Sequence, residues 1–232
     1  MTTDTGASEA VADEPFADEP IRPISITDLV FDRIRDAIIN KSIPPGSAVN
    51  EADLAQRLRV SKTPVRESLI RLKEIGLLVP SGRRLRVITP SRQLIQHAYE
   101  FRMLIEPDCA RIAARRAPEA ERQEIAASAD EAVASAQHDD VQGYYRAGRD
   151  LHLRIADATG NALLSSAVER SHSFTLTLMR RDLSEAIDLR TRSQHHVAIA
   201  AAIAQGDEDR AENEMRQHID AMQESALRRF TE

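Results

Sequence analysis

Helical periodicity breaks for only three residues, Arg59-Val60-Ser61, between two short amphipathic segments, and this constrains the fold more than any other feature. Before the break, Asn50 is placed to cap a helix. Glu51 and Asp53 lie in its first turn, favourable at the positive end of a helix dipole, and Leu54, Ala55 and Leu58 recur on one face. After it, Ser61 is placed to cap a second helix. Pro64 falls in the first turn, where a missing N–H costs little. Val65, Leu69 and Leu72 form an inner face, while Lys62, Thr63, Arg66 and Lys73 fall mainly on the outer one. Two short helices joined by so tight a turn make a helix-turn-helix. Its turn often carries glycine. Arg59 in a left-handed conformation there would be strained by about 1–2 kcal/mol.

The flanking sequence completes a small domain. Ser25-x-x-Asp28 resembles a capping box. Val30, Ile34, Ala37 and Ile38 follow at helical spacing, and Ile43-Pro-Pro-Gly46 stops that helix. After Gly76, Leu77-Leu78-Val79 and Leu85-Arg86-Val87-Ile88 read as short strands. Pro80 to Arg84 joins them as a basic turn with Gly82 at its tip. The helix-turn-helix is therefore expected to be winged.

Charge distribution says what such a domain would meet. The net charge of −6 argues at first against nucleic acid. Yet the first 20 residues hold six acids and no Lys or Arg, whereas residues 56–92 hold ten basic residues and two acids. A basic segment in an acidic chain suggests a local electrostatic footprint, although charge alone would equally describe a solvated helix face. The candidate contacts are Ser61, Lys62, Thr63, Pro64 and Arg66 on the second helix, and Ser81, Gly82, Arg83 and Arg84 on the wing. Arg66 can donate two hydrogen bonds to a guanine, worth about 1–3 kcal/mol of discrimination. Aromatic content of 3% argues against a single-strand stacking platform.

After Thr89-Pro90 the sequence is almost wholly helical and rich in alanine, as a helical bundle wants. Breaks near Pro118, His138–Asp140, Thr159-Gly160-Asn161, Arg181–Leu183 and Gly206-Asp207 divide it into about six helices. The expected class is mainly α: a winged helix-turn-helix over residues 23–90 and a helical bundle over 91–230, after a disordered acidic tail, 1–22. No apolar run reaches the 18–20 or so residues of a membrane span, and no signal peptide is visible. The lone Cys109 reads as a small buried residue, and a reducing cytoplasmic setting fits.

Three histidines stand out in the helical half. His152 shares a face with Ile155 and Ala156, His196 with Ile199 and Ile203, and His218 with Met215, Ile219 and Met222. Three converging imidazoles suit zinc, nickel or a similar divalent ion. By itself the pattern more often marks hydrogen-bonded core histidines.

At this point two resemblances become specific. Ile43-Pro-Pro-Gly46, Glu51-Ala-Asp-Leu-Ala55, Val60-Ser-Lys-Thr-Pro-Val-Arg-Glu67 and Leu72-Lys-Glu-Ile-Gly-Leu77 resemble the winged helix of the GntR family of bacterial transcription regulators. Tyr99 to Pro107, Leu151 to Asn161, His196-Val-Ala-Ile199, Gly206-Asp207 and Met215-Arg-Gln-His218 resemble the FCD-type domain of that family's FadR branch.

The resemblance implies a dimeric, ligand-responsive repressor that binds operator DNA and responds to a small organic acid. It implies effector contacts at Arg102, Glu106, His152, His196 and His218, and zinc, nickel or manganese on the three histidines. Metal-binding members carry Asp or Asn four residues before the first histidine; here that position is Gly148, and Asp150 falls roughly on the other side of the helix. Arg102 requires an anionic partner, either Glu106 one turn on or a bound organic acid. Tyr99, Arg149 and His172 are further candidates for the lining, and His195 for a neighbouring position. The alternative is a helical domain that only dimerises, with ordinary core histidines. An enzyme is not expected, because no general base or metallohydrolase motif accompanies the histidines.

Overall fold

A computed structural model of the chain describes residues 25–182 and 189–228. The expected acidic tail, residues 1–22, lies outside them.

The first half follows the order α1 (Ile26–Ile39), β1 (Ala48–Val49), α2 (Glu51–Leu58), α3 (Lys62–Glu74), β2 (Leu78–Ser81) and β3 (Arg84–Val87). Its core gathers Val30, Ile34 and Ile38 of α1, Leu54 of α2, Val65, Leu69 and Leu72 of α3, and Leu77, Leu78 and Val87. Asn50 caps α2, its side chain accepting from the Ala52 and Asp53 amides. Arg59 ends α2 in the left-handed region, at φ 56° and ψ 43°, where an L side chain is strained.

The three strands form one antiparallel sheet in the order β1-β3-β2. Ser81 pairs with Arg84, so the wing closes on Gly82 and Arg83 alone. Gly82 has φ +60° at the first central position, as a two-residue hairpin turn of type II′ prefers.

Local expectations needed correction at four places. The Ser25 side chain accepts from Thr27 N rather than closing a capping box. Asp28 instead pairs with Arg71 on α3, 2.6 Å away, because the long Arg71 side chain crosses the Phe31 ring to reach it. Ser61 occupies the N-cap position of α3 but makes no side-chain cap bond. Both expected wing strands are displaced toward the tip, to Leu78–Ser81 and Arg84–Val87, by the Ser81–Arg84 pairing.

The second half comprises α4 (Arg92–Arg116), α5 (Glu119–Gln137), α6 (Val141–Asp157), α7 (Ala162–Asp182), α8 (Leu189–Gln205) and α9 (Glu208–Leu227). These are six helices among the described residues. α4 packs along α9, and α5 lies against both α6 and α8. Alanine fills these seams: Ala110, Ala113, Ala114, Ala129, Ala132, Ala136, Ala202 and Ala211 are all fully buried. No described helix is long and apolar enough to cross a membrane. The two halves touch where α1 lies beside α7 and where Phe174 of α7 packs against the core of the winged helix.

Candidate functional site

Every sequence-selected DNA contact is solvent-exposed except Pro64, which is half-buried. α3 buries Val65, Ser68, Leu69 and Leu72 and so turns Lys62, Thr63 and Arg66 outward. The Arg66 side chain is 67% exposed, yet its Nε and Nη2 both donate to the Glu51 carboxylate, at 3.1 and 2.9 Å. That bond, ahead of simple charge attraction, holds the Glu51 carboxyl below its usual range. On the wing, Arg86 donates to Gly46 O at 2.7 Å and to Ser81 Oγ at 3.1 Å. It braces the hairpin, while Arg83 and Arg84 make no ion pair among the described residues.

In the helical half, His152 of α6, His196 of α8 and His218 of α9 are all buried. One ring nitrogen from each lies within 4.8 Å of the others. His152 Nε2 and His218 Nε2 are 3.2 Å apart. Two nitrogens on a tetrahedral zinc at about 2.0–2.1 Å would be separated by about 3.3 Å, so this edge is already at ligand spacing. Burial, reinforced by the neighbouring rings, pushes the His196 and His218 pKa values well below the ordinary imidazole range. Both rings are thus neutral and keep a lone pair for a metal. Their Nδ1 atoms are buried without a hydrogen-bond partner. The donor set fits a divalent ion held by three imidazoles with open positions for other ligands.

Gly148 lies directly against this cluster. A Cβ there would stand 3.0 Å from His196 Cε1. His196 therefore packs over the position where an acidic side chain would have to start.

Glu106 organises the other side. Arg102 Nε donates to its Oε1 at 2.6 Å and Nη2 to its Oε2 at 3.3 Å, with both side chains almost wholly buried. His172 Nε2 lies 3.2 Å from Oε2. His152 Nδ1 comes within 2.6 Å of the same oxygen, a short contact poorly aligned for a hydrogen bond. Burial alone, the largest influence, would raise the Glu106 carboxyl; the Arg102 guanidinium and the two histidines together outweigh it, and the pKa falls well below normal. Burial, and then Arg102, pushes His172 down to about 3. A carboxylate behind a metal-facing imidazole fixes ring orientation and tautomer. Glu106 stands in that relation to His152, and it is also the anionic partner that Arg102 requires.

Between these groups lies a cavity of about 60 Å³, lined by Tyr99, Tyr144, Gly148, Arg102 and the four histidines, with Met222 at its edge. Tyr99 and Arg149 line it, whereas His195 is half-buried beside His218, ring centroids 5.9 Å apart. Cys109 is buried, its thiol pushed up to about 12 by desolvation and then by Glu106.

Sequence reasoning did not select Arg192. It is buried on α8, bonded through Nη2 to Ser225, and its Nη1 has no hydrogen-bond partner. Its spacing to His196 and Ile199 was the available signal. His172, a lining candidate from the sequence, does line the cavity, on the buried face of α7 with Val168 and Thr175.

Comparison with known proteins supports both halves. Residues 26–84 match the family described as bacterial regulatory proteins, gntR family, and residues 97–221 match the FCD domain. The chain is 25% identical to the HTH-type transcriptional repressor NanR of Citrobacter rodentium, covering 93% of this chain and 90% of that one. It is 28% identical to a probable D-xylose utilization operon transcriptional repressor of Paenarthrobacter nicotinovorans, over 83% and 86%. It is 30% identical to the Nta operon transcriptional regulator of Aminobacter aminovorans, over 71% and 77%. Among solved structures, Escherichia coli McbR/YncC superposes with a TM-score of 0.75 at 17% identity, over 90% of this chain and all of that one.

Proposed function

From the gntR family of bacterial regulatory proteins, to which the chain belongs through both its winged helix and its FCD domain, we infer a ligand-responsive transcriptional repressor acting in the cytoplasm. The winged helix would bind half of a near-palindromic operator, with α3 in the major groove and the Gly82 turn at the backbone or minor groove. The helical domain would form a homodimer whose two-fold axis matches the operator. Exposed Phe101 and Leu104 on α4, and Leu163 on the adjacent α7, supply apolar surface for that contact.

One observation carries the sensing half of this reading: three buried imidazoles and an arginine converge on a cavity inside the regulator. A small carboxylate is the ligand that suits Arg102 and the imidazoles together. A divalent ion, when bound, would supply a Lewis-acid point for one carboxylate oxygen. His152, His196 and His218 would hold it, and Glu106 would orient His152. Effector binding would bias the placement of the winged helices, a coupling typically worth about 1–3 kcal/mol.

A second reading has an observation in its favour. Arg102 already has a full carboxylate partner in Glu106, as a purely structural, effector-independent domain would require.

The test uses untagged protein and a His152→Ala/His196→Ala double variant. Elemental mass spectrometry should find about one zinc, nickel or manganese per wild-type chain and none in the variant. Thermal shift against dicarboxylates, sugar acids and D-xylose should then find a ligand that stabilises wild type and alters operator binding. No metal after soaking, with no stabilising ligand, would establish the structural reading.

A further inference from the structure

A guanidinium has two edges able to make paired hydrogen bonds. One is formed by Nε–H and Nη2–H, the other by Nη1–H and the remaining Nη2–H. Arg66 uses the first edge on Glu51, at 3.1 and 2.9 Å. The second is left clear, and no other bond to Arg66 occurs among the described residues. Either edge can pair with the O6 and N7 acceptors of guanine, and the second is the one left available for it.

Glu51 is well placed to fix that edge. It is the first residue of α2, with Asn50 capping the helix behind it, and its side chain is only 28% exposed. Arg66 sits one turn into α3. The bond therefore ties the reading side chain of one helix to the rigid start of the other. A free arginine loses rotamer entropy on being held in one conformation. Here much of that ordering is present before DNA arrives. Glu51 also places a negative charge beside the surface that meets phosphate, which penalises loose, backbone-only binding.

We propose that Glu51 is a positioning residue for base readout: it buttresses Arg66 from behind, so that the free guanidinium edge is presented to a guanine in the major groove. This rests on the reading of α3 as the recognition helix. It assigns Glu51 to specificity rather than to affinity. A carboxylate that merely occupied Arg66 until DNA displaced it would do the opposite and weaken binding to every sequence.

Parallel selections from a duplex library with a randomised core separate these cases. Wild type, Glu51→Gln and Arg66→Ala would be used as full-length chains, each with its melting temperature recorded. Wild type should select a half-site containing a fixed guanine. Arg66→Ala should lose that guanine alone. Glu51→Gln should relax the same position, lowering its preference for guanine by about tenfold or more, while the other positions hold. Its binding to a random-sequence duplex should stay equal or tighten. In the double variant, Glu51→Gln should change nothing further at that position. If Glu51→Gln keeps the guanine while Arg66→Ala loses it, the buttress is refuted and the recognition helix stands. Uniformly tighter binding with unchanged preference would make Glu51 a competitor instead. Loss of preference at every position by a Glu51→Gln chain of normal melting temperature would also overturn the proposal. If Arg66→Ala keeps the guanine, the reading of Arg66 itself fails.

Discussion

The Phe174 ring lies against Gly76, so close that a Cβ on Gly76 would stand 3.2 Å from its Cδ2. Gly76 follows α3, and Phe174 projects from a helix of the other half. His172, two residues earlier on that helix, contacts Glu106 at the cavity. Residues two apart on a helix point to nearly opposite sides. α7 thus reaches the histidine-lined cavity with one side and the winged helix with the other.

Gly76 has φ +80°. Gly76→Ala should combine a left-handed side chain with crowding of the Phe174 ring, and cost about 1–2 kcal/mol or more. Urea denaturation measures it; an unchanged midpoint would show that the ring gives way freely.

Breaking the Arg102–Glu106 pair from one side should be far worse than removing both charges. Glu106→Ala leaves a buried guanidinium and should cost about 3–5 kcal/mol; the double change Arg102→Met/Glu106→Leu should cost much less. Equal losses in the two proteins would mean that water or another group takes the place of the partner.

Gly148→Asp should force His196 to move, because its first side-chain carbon meets the ring at 3.0 Å. Without metal the variant should lose about 1–3 kcal/mol through overpacking. With zinc or nickel the added carboxylate should recover that loss. Calorimetric titration and melting, with and without the ion, separate the two effects.

Arg59→Gly should stabilise the chain by about 1 kcal/mol, since the left-handed backbone at φ 56° suits glycine. A lower melting temperature would show that the Arg59 side chain contributes more than its backbone strain costs.

Much of the architecture was legible because its signals are local. Asn50 before an acidic first turn and Gly82 between two short apolar runs each needed only their neighbours. The strand Ala48–Val49 was not legible: at two residues it has no period, and it exists through pairing with Arg86 and Leu85. Asp28 was misjudged for the same reason, since Arg71 lies 43 residues away. At the cavity, the three histidines were visible as a phase relation within each helix. Their convergence was not, because helix phase says which side turns inward but not which helices face each other. The choice between Glu106 and a ligand as partner for Arg102 likewise depended on three-dimensional placement.

The alanine seams bear on how a signal could cross this protein. A methyl group has no rotamer to change and loses no side-chain entropy on burial. A core of leucine or methionine can absorb a push by repacking its side chains. Where Ala113, Ala114, Ala129, Ala132, Ala136 and Ala202 line the contacts, a push has no such outlet and must be passed on as movement of whole helices. Along these seams the helices have little slack between them, and a displacement of one is taken up by its neighbour rather than by side-chain repacking.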